Sequence, residues 1–226
     1  MGTLPSNLSI KDIECLANND RSLKLMLNRI LAPSYDDFIK ILYEDIDIAI
    51  VELESNPQLM QGDEEDKLSA FIISQLKRAG YSASLGTTGG GNKDITVLGR
   101  EPSWSWIGEA KIYRSVTNLH EAFLQLATRY RNADPTKACG GVLAYIFRPK
   151  ARQLMIEWKS AVGETVMELN DFTISPCDQK SDMTFYTSHE HVSSGMPFKV
   201  KHIGVNLHFQ PLDKSARSAK KYRGDN

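Results

Sequence analysis

Hydrophobic residues recur at helical spacing through the front of the chain. Asn18, Asn19 or Asp20 is a candidate N-cap for a first helix that Pro33 ends. Ser34, with Asp37 three residues later, resembles a capping box for a longer helix that ends near residue 56. We therefore predict a helical N-terminal segment over residues 1–61. Its two apolar stripes are Leu23, Leu27, Ile30 and Leu31, followed by Phe38, Leu42, Ala49 and Leu53.

From residue 62 onward, helical and strand patterns alternate. The apolar run over 141–147 has no polar interruption, which is typical of a strand covered on both faces of a sheet. The alternation predicts an α/β fold with a mixed central sheet over residues 62–212 and a loose basic tail over 213–226. Helices are predicted over 64–79, 118–131 and 150–162, and strands over 81–85, 93–98, 104–113, 141–147, 172–174, 183–187 and 199–209.

Composition limits the class of protein. The 226 residues are 41% hydrophobic and 24% charged, which excludes a disordered or collagen-like chain. No apolar run approaches the roughly 20 residues that cross a bilayer, and the first residues do not resemble a secretory signal. Cys15, Cys139 and Cys177 lie far apart without a CxxC pair. We therefore expect free thiols, a cytoplasmic location and no membrane association.

The net charge of −1 hides an asymmetry along the chain. Residues 1–66 hold 5 Lys/Arg against 14 Asp/Glu, a balance of −9, and residues 67–226 hold 22 against 14, a balance of +8. A polyanion would approach the basic part. The acids of the long N-terminal helix lie mostly off its apolar stripe, which favours a solvated outer face over a nucleic-acid mimic. They are Asp36, Asp37, Glu44, Asp45, Asp47, Glu52 and Glu54.

The residues with the clearest chemistry lie between positions 93 and 113. If the two strands there form an antiparallel hairpin, residues whose numbers sum to 203 face each other, which sets Asp94 opposite Glu109. Opposed Cβ atoms are about 4.5–5.5 Å apart, so the two carboxylates need a cation or a raised pKa. Period-2 alternation puts Lys111 on the face of Glu109 and turns Trp104 and Trp106 towards the core. Two oxygen ligands beside an ammonium suit a Mg²⁺ site for phosphodiester cleavage.

Asp94, then fourteen residues, then Glu109-Ala110-Lys111 resembles the signature of the PD-(D/E)xK, or restriction-endonuclease-like, nuclease superfamily. The predicted order over about residues 62–150 is similar to that family's αβββαβ core. Lys93 stands where the family name has proline. In the family the preceding helix contributes a further acid. We favour Glu65, whose helix face would be anchored by the apolar positions at i+3 and i+7, with Glu64 as the alternative.

The resemblance implies the roles of these residues. Mg²⁺ (or Mn²⁺) would be held by the carboxylates of Asp94, Glu109 and Glu65 and by the backbone carbonyl of Ala110, and Lys111 would position the attacking water. The catalytic set is therefore Glu65, Asp94, Glu109 and Lys111. Some members also carry a Gln and a Tyr on the following helix. Gln125, Arg129 and Tyr130 are the corresponding candidates for substrate binding, although the Gln-to-Tyr spacing is one residue longer than usual.

The resemblance predicts a nuclease, with DNA favoured over RNA as the substrate. Nothing in the sequence resembles a base-reading module. We therefore expect control by a partner protein, by homo-oligomerisation or by an activating signal, as in bacterial antiphage or restriction-type defence. The alternative is a catalytically silent nuclease-like fold that binds nucleic acid or protein. A complete Asp94, Glu109 and Lys111 set favours turnover.

Other candidate residues have simpler interpretations. His189-x-His191 places two imidazoles on one strand face, but no third metal ligand follows at a recognised spacing. The glycines at 89–91 lack the GK[ST] of a phosphate loop and indicate a turn between strands. Four basic residues after position 147 could contact the phosphates of a nucleic acid, but ordinary surface solvation is the expected role of each. These are Arg148, Lys150, Arg152 and Lys159.

Overall fold

Side-chain caps begin the N-terminal helices. Asp20 accepts hydrogen bonds from the backbone N–H groups of Ser22 and Leu23, so it is the one of the three candidate residues that caps this helix. Ser34 accepts a hydrogen bond from the backbone N–H of Asp37, which confirms the second predicted cap. An additional helix precedes them. It begins at a capping box formed by Ser9 and Asp12 and was not predicted from the sequence.

A computed structural model describes residues 9–87, 93–129, 135–165, 169–177 and 182–212, with positions 87, 93, 94, 129 and 165 described only by their place in a strand or helix. A short 3₁₀ turn, Pro57–Leu59, follows α3. The helices in these ranges are α1 (Ile10–Asn19), α2 (Arg21–Leu31), α3 (Tyr35–Glu54), α4 (Glu65–Arg78), α5 (Val116–Arg129) and α6 (Ala151–Thr165). The strands are β1 (Ser82–Thr87), β2 (Lys93–Leu98), β3 (Ser105–Ile112), β4 (Cys139–Ile146), β5 (Thr173–Pro176), β6 (Thr184–Glu190) and β7 (Pro197–Asn206).

The strands form one open, mixed sheet in the order β1-β2-β3-β4-β7-β6-β5. β3, β4 and β7 are parallel neighbours, and the other pairs are antiparallel. The predicted α/β class with a mixed central sheet is therefore confirmed. The succession α4, β1, β2, β3, α5, β4 is the element order that the sequence predicts for residues 62–150.

The hairpin of β2 and β3 has the predicted register. Ile95 pairs with Gly108 and Thr96 with Ile107, so the paired residue numbers sum to 203. Trp104, Trp106 and Ala110 belong to one buried cluster, which confirms that both tryptophans fill the core. Because side chains alternate along a strand, Glu109 and Lys111 lie on the opposite face of β3.

Helices cover both faces of the sheet. α3 and α4 pack on one face, where Leu42, Leu68 and Trp106 are almost fully buried. α5 and α6 pack on the other face around Phe123 and Trp158. The predicted boundary at residue 61 falls between α3 and α4, and these two helices share one buried cluster. Each fully buried apolar side chain of this size contributes about 1.5–3 kcal/mol.

Asp45 and Asp47 of α3 do not lie on a solvated outer face, so that expectation is wrong for them. Asp45 is 4% exposed, receives hydrogen bonds of 2.8 and 2.6 Å from Arg29, and accepts another of 2.7 Å from Tyr81. Asp47 accepts from Lys201, and Glu54 from the backbone of β7. These partners are distant in sequence, so the helical pattern alone could not indicate them.

Two further expectations concern the chain as a whole. None of the helices in the described ranges is both long and apolar enough to cross a bilayer. The three cysteines are free thiols: Cys15 is exposed, Cys139 is half-buried and Cys177 is buried.

Candidate active site

The first turn of α4 meets the carboxyl end of β3. Glu64 is the N-cap and Glu65 is the first helical residue. Leu68 and Ile72, three and seven positions after Glu65, are 0% and 1% exposed and hold this side of the helix against the sheet. This anchoring directs Glu65 over the end of β3, as the sequence predicts.

Two carboxylates converge on one ammonium at this point. Lys111 Nζ lies 2.7 Å from Glu109 Oε1 and 3.2 Å from Glu65 Oε1. The second oxygen of Glu65 accepts a hydrogen bond of 3.1 Å from the backbone N–H of Ile112. Glu65 is therefore held by both a side chain and the backbone of β3, and this fixes the position of its carboxylate.

Burial strengthens the electrostatic interactions between these three charged side chains. The side chain of Glu109 is 1% exposed, that of Lys111 17% and that of Glu65 35%. Burial favours the neutral amine and is the largest single influence on the pKa of Lys111, but hydrogen bonds and charges from Glu109 and Glu65 together outweigh it. The pKa of Lys111 is therefore raised above its ordinary value. At neutral pH this side chain is an ammonium, which can donate hydrogen bonds but cannot accept a proton.

The structure brings together three of the four predicted catalytic residues: Glu65, Glu109 and Lys111. Of the two acids left open at the start of α4, Glu65 makes these contacts. Glu64 is exposed, and its side chain forms no capping hydrogen bond. Asp94 is the second residue of β2, one position beyond the pair Ile95–Gly108, but its side chain lies outside the described residues. Its placement opposite Glu109 stays a prediction from the register.

The structure describes the remaining predicted metal ligand and substrate-binding residues only in part. Ala110 lies on β3 beside Leu143 of β4, so its backbone is at the site, but its role as a carbonyl ligand stays a prediction. Gln125 is half-buried on α5. The side chain of Arg129 and the whole of Tyr130 lie outside the described residues, so the predicted substrate-binding set also stays a prediction.

The donor set has the chemistry of a hard-cation site. In the described part of the chain, which omits the Asp94 side chain, no three His, Cys, Asp or Glu residues form a group that could hold a metal ion. Glu65 and Glu109 nevertheless lie within hydrogen-bonding distance of a single cationic nitrogen. Carboxylate oxygens are the ligands that Mg²⁺ prefers, and one or two of them suffice when water completes the shell. Glu65 and Glu109 are therefore of the ligand type that Mg²⁺ prefers, and the metal site itself, with Asp94 as the additional ligand, stays a prediction.

Asn118 is a positioning residue that the sequence analysis missed. Its side-chain oxygen accepts hydrogen bonds from the N–H groups of Arg114 and Ser115, and its amide nitrogen donates to the carbonyl of Ile112. These contacts fix the end of β3 directly after Lys111. The Ser115-x-x-Asn118 pattern, in which the N–H of Asn118 in turn donates to the Ser115 hydroxyl, was the available signal.

Several histidines are buried in the aromatic core. The indole of Trp158 donates to His202 Nδ1, so the other ring nitrogen bears the proton and donates to Thr187. Burial, followed by the charge of His189, lowers the pKa of His202 to about 3.

His189 and His191 both make edge contacts with Phe198, and burial, followed by the charge of His191, lowers the pKa of His189 to about 4. Neutral core groups are the simplest interpretation of these rings.

No family model, no curated protein and no solved structure matches the chain.

Proposed function

We propose that the protein is a Mg²⁺- or Mn²⁺-dependent nuclease with a restriction-endonuclease-like core that hydrolyses phosphodiester bonds, DNA more than RNA. The observation that carries this proposal is the convergence of Glu65 and Glu109 on the Lys111 ammonium at the carboxyl end of β3. These are three residues of the set that the sequence motif predicts, and they come from two separate elements. A surface ion pair would not need a carboxylate that is 1% exposed.

The carboxylates have the role of ligands in this proposal. Asp94, Glu109 and the Ala110 carbonyl would hold the metal ion, with Glu65 as a direct or water-mediated ligand. When bound, such an ion polarises the scissile phosphate and lowers the pKa of a coordinated water. Glu109 cannot turn away from the site easily, because its side chain is enclosed and its Oε1 is held at 2.7 Å by Lys111.

Lys111 acts as a hydrogen-bond donor. Its raised pKa keeps it protonated at neutral pH before a metal ion binds, so hydrogen-bond donation is the role proposed for it. It orients the attacking water or a phosphate oxygen through its remaining N–H and stabilises the negative charge that develops in the transition state. Glu65 shares the ammonium with Glu109 and thereby fixes its direction.

The biological setting is a cytoplasmic, partner-controlled effector of a bacterial antiphage or restriction-type defence system. Residues 1–66 hold a charge balance of −9, and α1 and α2 leave Ile10, Leu16 and Leu31 more than half exposed. The charges over residues 10–31, which span α1 and α2, nearly cancel, so a regulatory protein with an apolar surface patch would fit these helices.

A cleavage assay tests the activity. Plasmid DNA and single-stranded RNA are incubated with the protein in Mg²⁺, in Mn²⁺ and with added EDTA, beside Glu109→Gln and Lys111→Ala. We expect metal-dependent cleavage that EDTA stops and that each substitution lowers by at least about 100-fold. Cleavage that survives either substitution would contradict the site assignment. Binding without cleavage in either metal, even with the cognate partner, would favour the catalytically silent binding module.

A further inference from the structure

We infer that the nucleic-acid backbone runs from the candidate active site along the carboxyl ends of β3, β4 and β7, into a cleft at the start of α6 that binds its phosphates. The inference rests on the proposed nuclease function. It assigns the phosphate contacts to Arg114, Arg148 and Lys150, which lie outside the predicted catalytic set.

The sheet topology sets the direction of this path. β3, β4 and β7 are parallel neighbours, so their last residues, Ile112, Ile146 and Asn206, lie along one edge of the sheet. Neighbouring strands are about 4.8 Å apart, and the end of β7 is therefore about 10 Å from the end of β3. One nucleic-acid strand carries a charge about every 3.4 Å along the helix axis, so this edge spans about three nucleotides.

Arginine and lysine side chains follow the strands at this edge. Arg114 comes two residues after β3, and Arg148 and Lys150 come shortly after β4; all three are exposed. Arg148 donates a hydrogen bond of 3.3 Å to the Arg114 carbonyl, and its guanidinium carbon lies 5.9 Å from the centre of the Tyr113 ring. The ring and the carbonyl therefore hold Arg148 beside the end of β3, next to the site.

The cleft lies at the far end of this path. It has a volume of about 590 Å³ and lies between the end of α3, the start of α6 and the end of β7. Lys150 has φ 62° and directly precedes α6, so the cleft lies at the partly positive N-terminal end of a 15-residue helix. The other polar lining residues are Glu54, Arg152, Asn206 and His208.

The acids near the cleft are already engaged. Glu54 accepts a hydrogen bond of 2.7 Å from the backbone N–H of Asn206, and Asp182 forms an ion pair with Arg152. Within the described ranges, neither Arg114 nor Lys150 has a carboxylate partner. Arg114, Arg148 and Lys150 outnumber Glu54, so this edge keeps excess positive charge beside a site where two carboxylates share one ammonium. A phosphate backbone is attracted to such a positive edge.

A salt titration of DNA binding tests the path. The dissociation constant of a fluorescent duplex is measured in EDTA for the wild type, for Arg148→Ala/Lys150→Ala, and for the control Lys77→Ala/Arg78→Ala. The control residues are exposed and lie in the last turn of α4, about 20 Å along the helix from Glu65. We expect the first double variant to bind at least about 10-fold more weakly and to lose about 1.8 from the slope of log affinity against log salt, with the control unchanged.

The charge-retaining pair Arg148→Lys/Lys150→Arg should restore the salt slope, which separates phosphate contact from a folding defect. An unchanged slope in Arg148→Ala/Lys150→Ala, or an equal loss in the control, would overturn the path while leaving metal-dependent cleavage intact. A wild type that neither binds nor cleaves DNA or RNA would instead overturn the proposed function and this inference with it.

Discussion

Lys111 joins two carboxylates whose environments differ. Its contact with the partly exposed Glu65 resembles a surface ion pair, which contributes about 0–1 kcal/mol. Its contact with Glu109 involves a carboxylate that is 1% exposed, and breaking a buried pair costs about 3–5 kcal/mol. Substitutions at Glu109 and Lys111 will therefore change stability as well as activity. A substitution at Glu65 separates the change in activity from the change in stability more clearly.

Glu65→Gln should lower the cleavage rate by about 100-fold at saturating Mg²⁺, because it removes one charge from the site while keeping its size. Its partial exposure limits the expected change in the free energy of unfolding to under about 1 kcal/mol. Glu64→Gln is the matched control, one residue earlier and exposed. Equal cleavage rates for the two variants would remove Glu65 from the catalytic set.

His189 and His202 should make the protein sensitive to acid. Their pKa values in the folded protein are about 4 and about 3, and an unfolded imidazole titrates near pH 6.5. Between these values the unfolded chain binds more protons, so the free energy of unfolding falls as the pH drops below about 6.5. Above that pH their contribution does not change.

His189→Leu should reduce this loss. Within the described residues, neither ring nitrogen of His189 has a hydrogen-bond partner, and the ring packs between Phe123 and Phe198. Leucine therefore removes a titrating group without leaving a polar partner unsatisfied. Denaturant unfolding at pH 7, 6, 5 and 4.5 should give a shallower decline for the variant. Parallel curves for the variant and the wild type would show that His189 does not contribute to the acid sensitivity.

At the scale of elements, the strand that carries the site is held by the indole of Trp106. Gly108 and Gly141 leave room for this ring on the face opposite Glu109, and a Cβ on Gly141 would lie 2.6 Å from Trp106 Cζ2. Gly141 is the register partner of Gly108, so the two glycines sit side by side on β4 and β3. Close packing on one face thus fixes the strand whose other face presents the charges.

Gly141→Ala should lower the free energy of unfolding by about 1–3 kcal/mol, because the added methyl group overpacks the indole. The double variant Gly141→Ala/Trp106→Leu should lose less than the sum of the single variants, as expected for residues in contact. Gly163→Ala in α6 is the control, since its Cβ would meet only the tip of Ile174 at 3.2 Å and alanine favours a helix. Additive losses would contradict the proposed contact.

The sequence predicted the elements that local chemistry determines. Side-chain caps at Asp20 and Ser34 and the register of the β2–β3 hairpin depend on residues close together in the chain, and all are confirmed. Glu65 could be favoured over Glu64 because the anchoring residues lie on the same helix. α1 was missed because it is a short helix with little apolar surface to bury: Ala17 is its buried residue.

At the scale of the whole molecule, the sequence could not reveal pairings between distant residues. The burial of Asp45 depends on Arg29 and Tyr81, 16 and 36 positions away. The position of β7 between β4 and β6 likewise depends on pairing between strands that are distant in sequence. The hydrophobic periodicity of each strand does not reveal this pairing. The charge asymmetry was visible in the composition, but the position of Arg114, Arg148 and Lys150 after neighbouring strand ends depends on the parallel arrangement of β3 and β4.

The cleavage rate of Asp94→Asn is the most direct test of the central claim. Asp94 is assigned by the motif and by the register that four neighbouring residue pairs support. Asparagine keeps the shape of the side chain and removes the charge that a divalent ion needs. With saturating Mg²⁺ and plasmid DNA, we expect at least a roughly 1,000-fold lower rate than the wild type, at an unchanged unfolding midpoint. A folded Asp94→Asn variant that cleaves at the wild-type rate would contradict the proposed site.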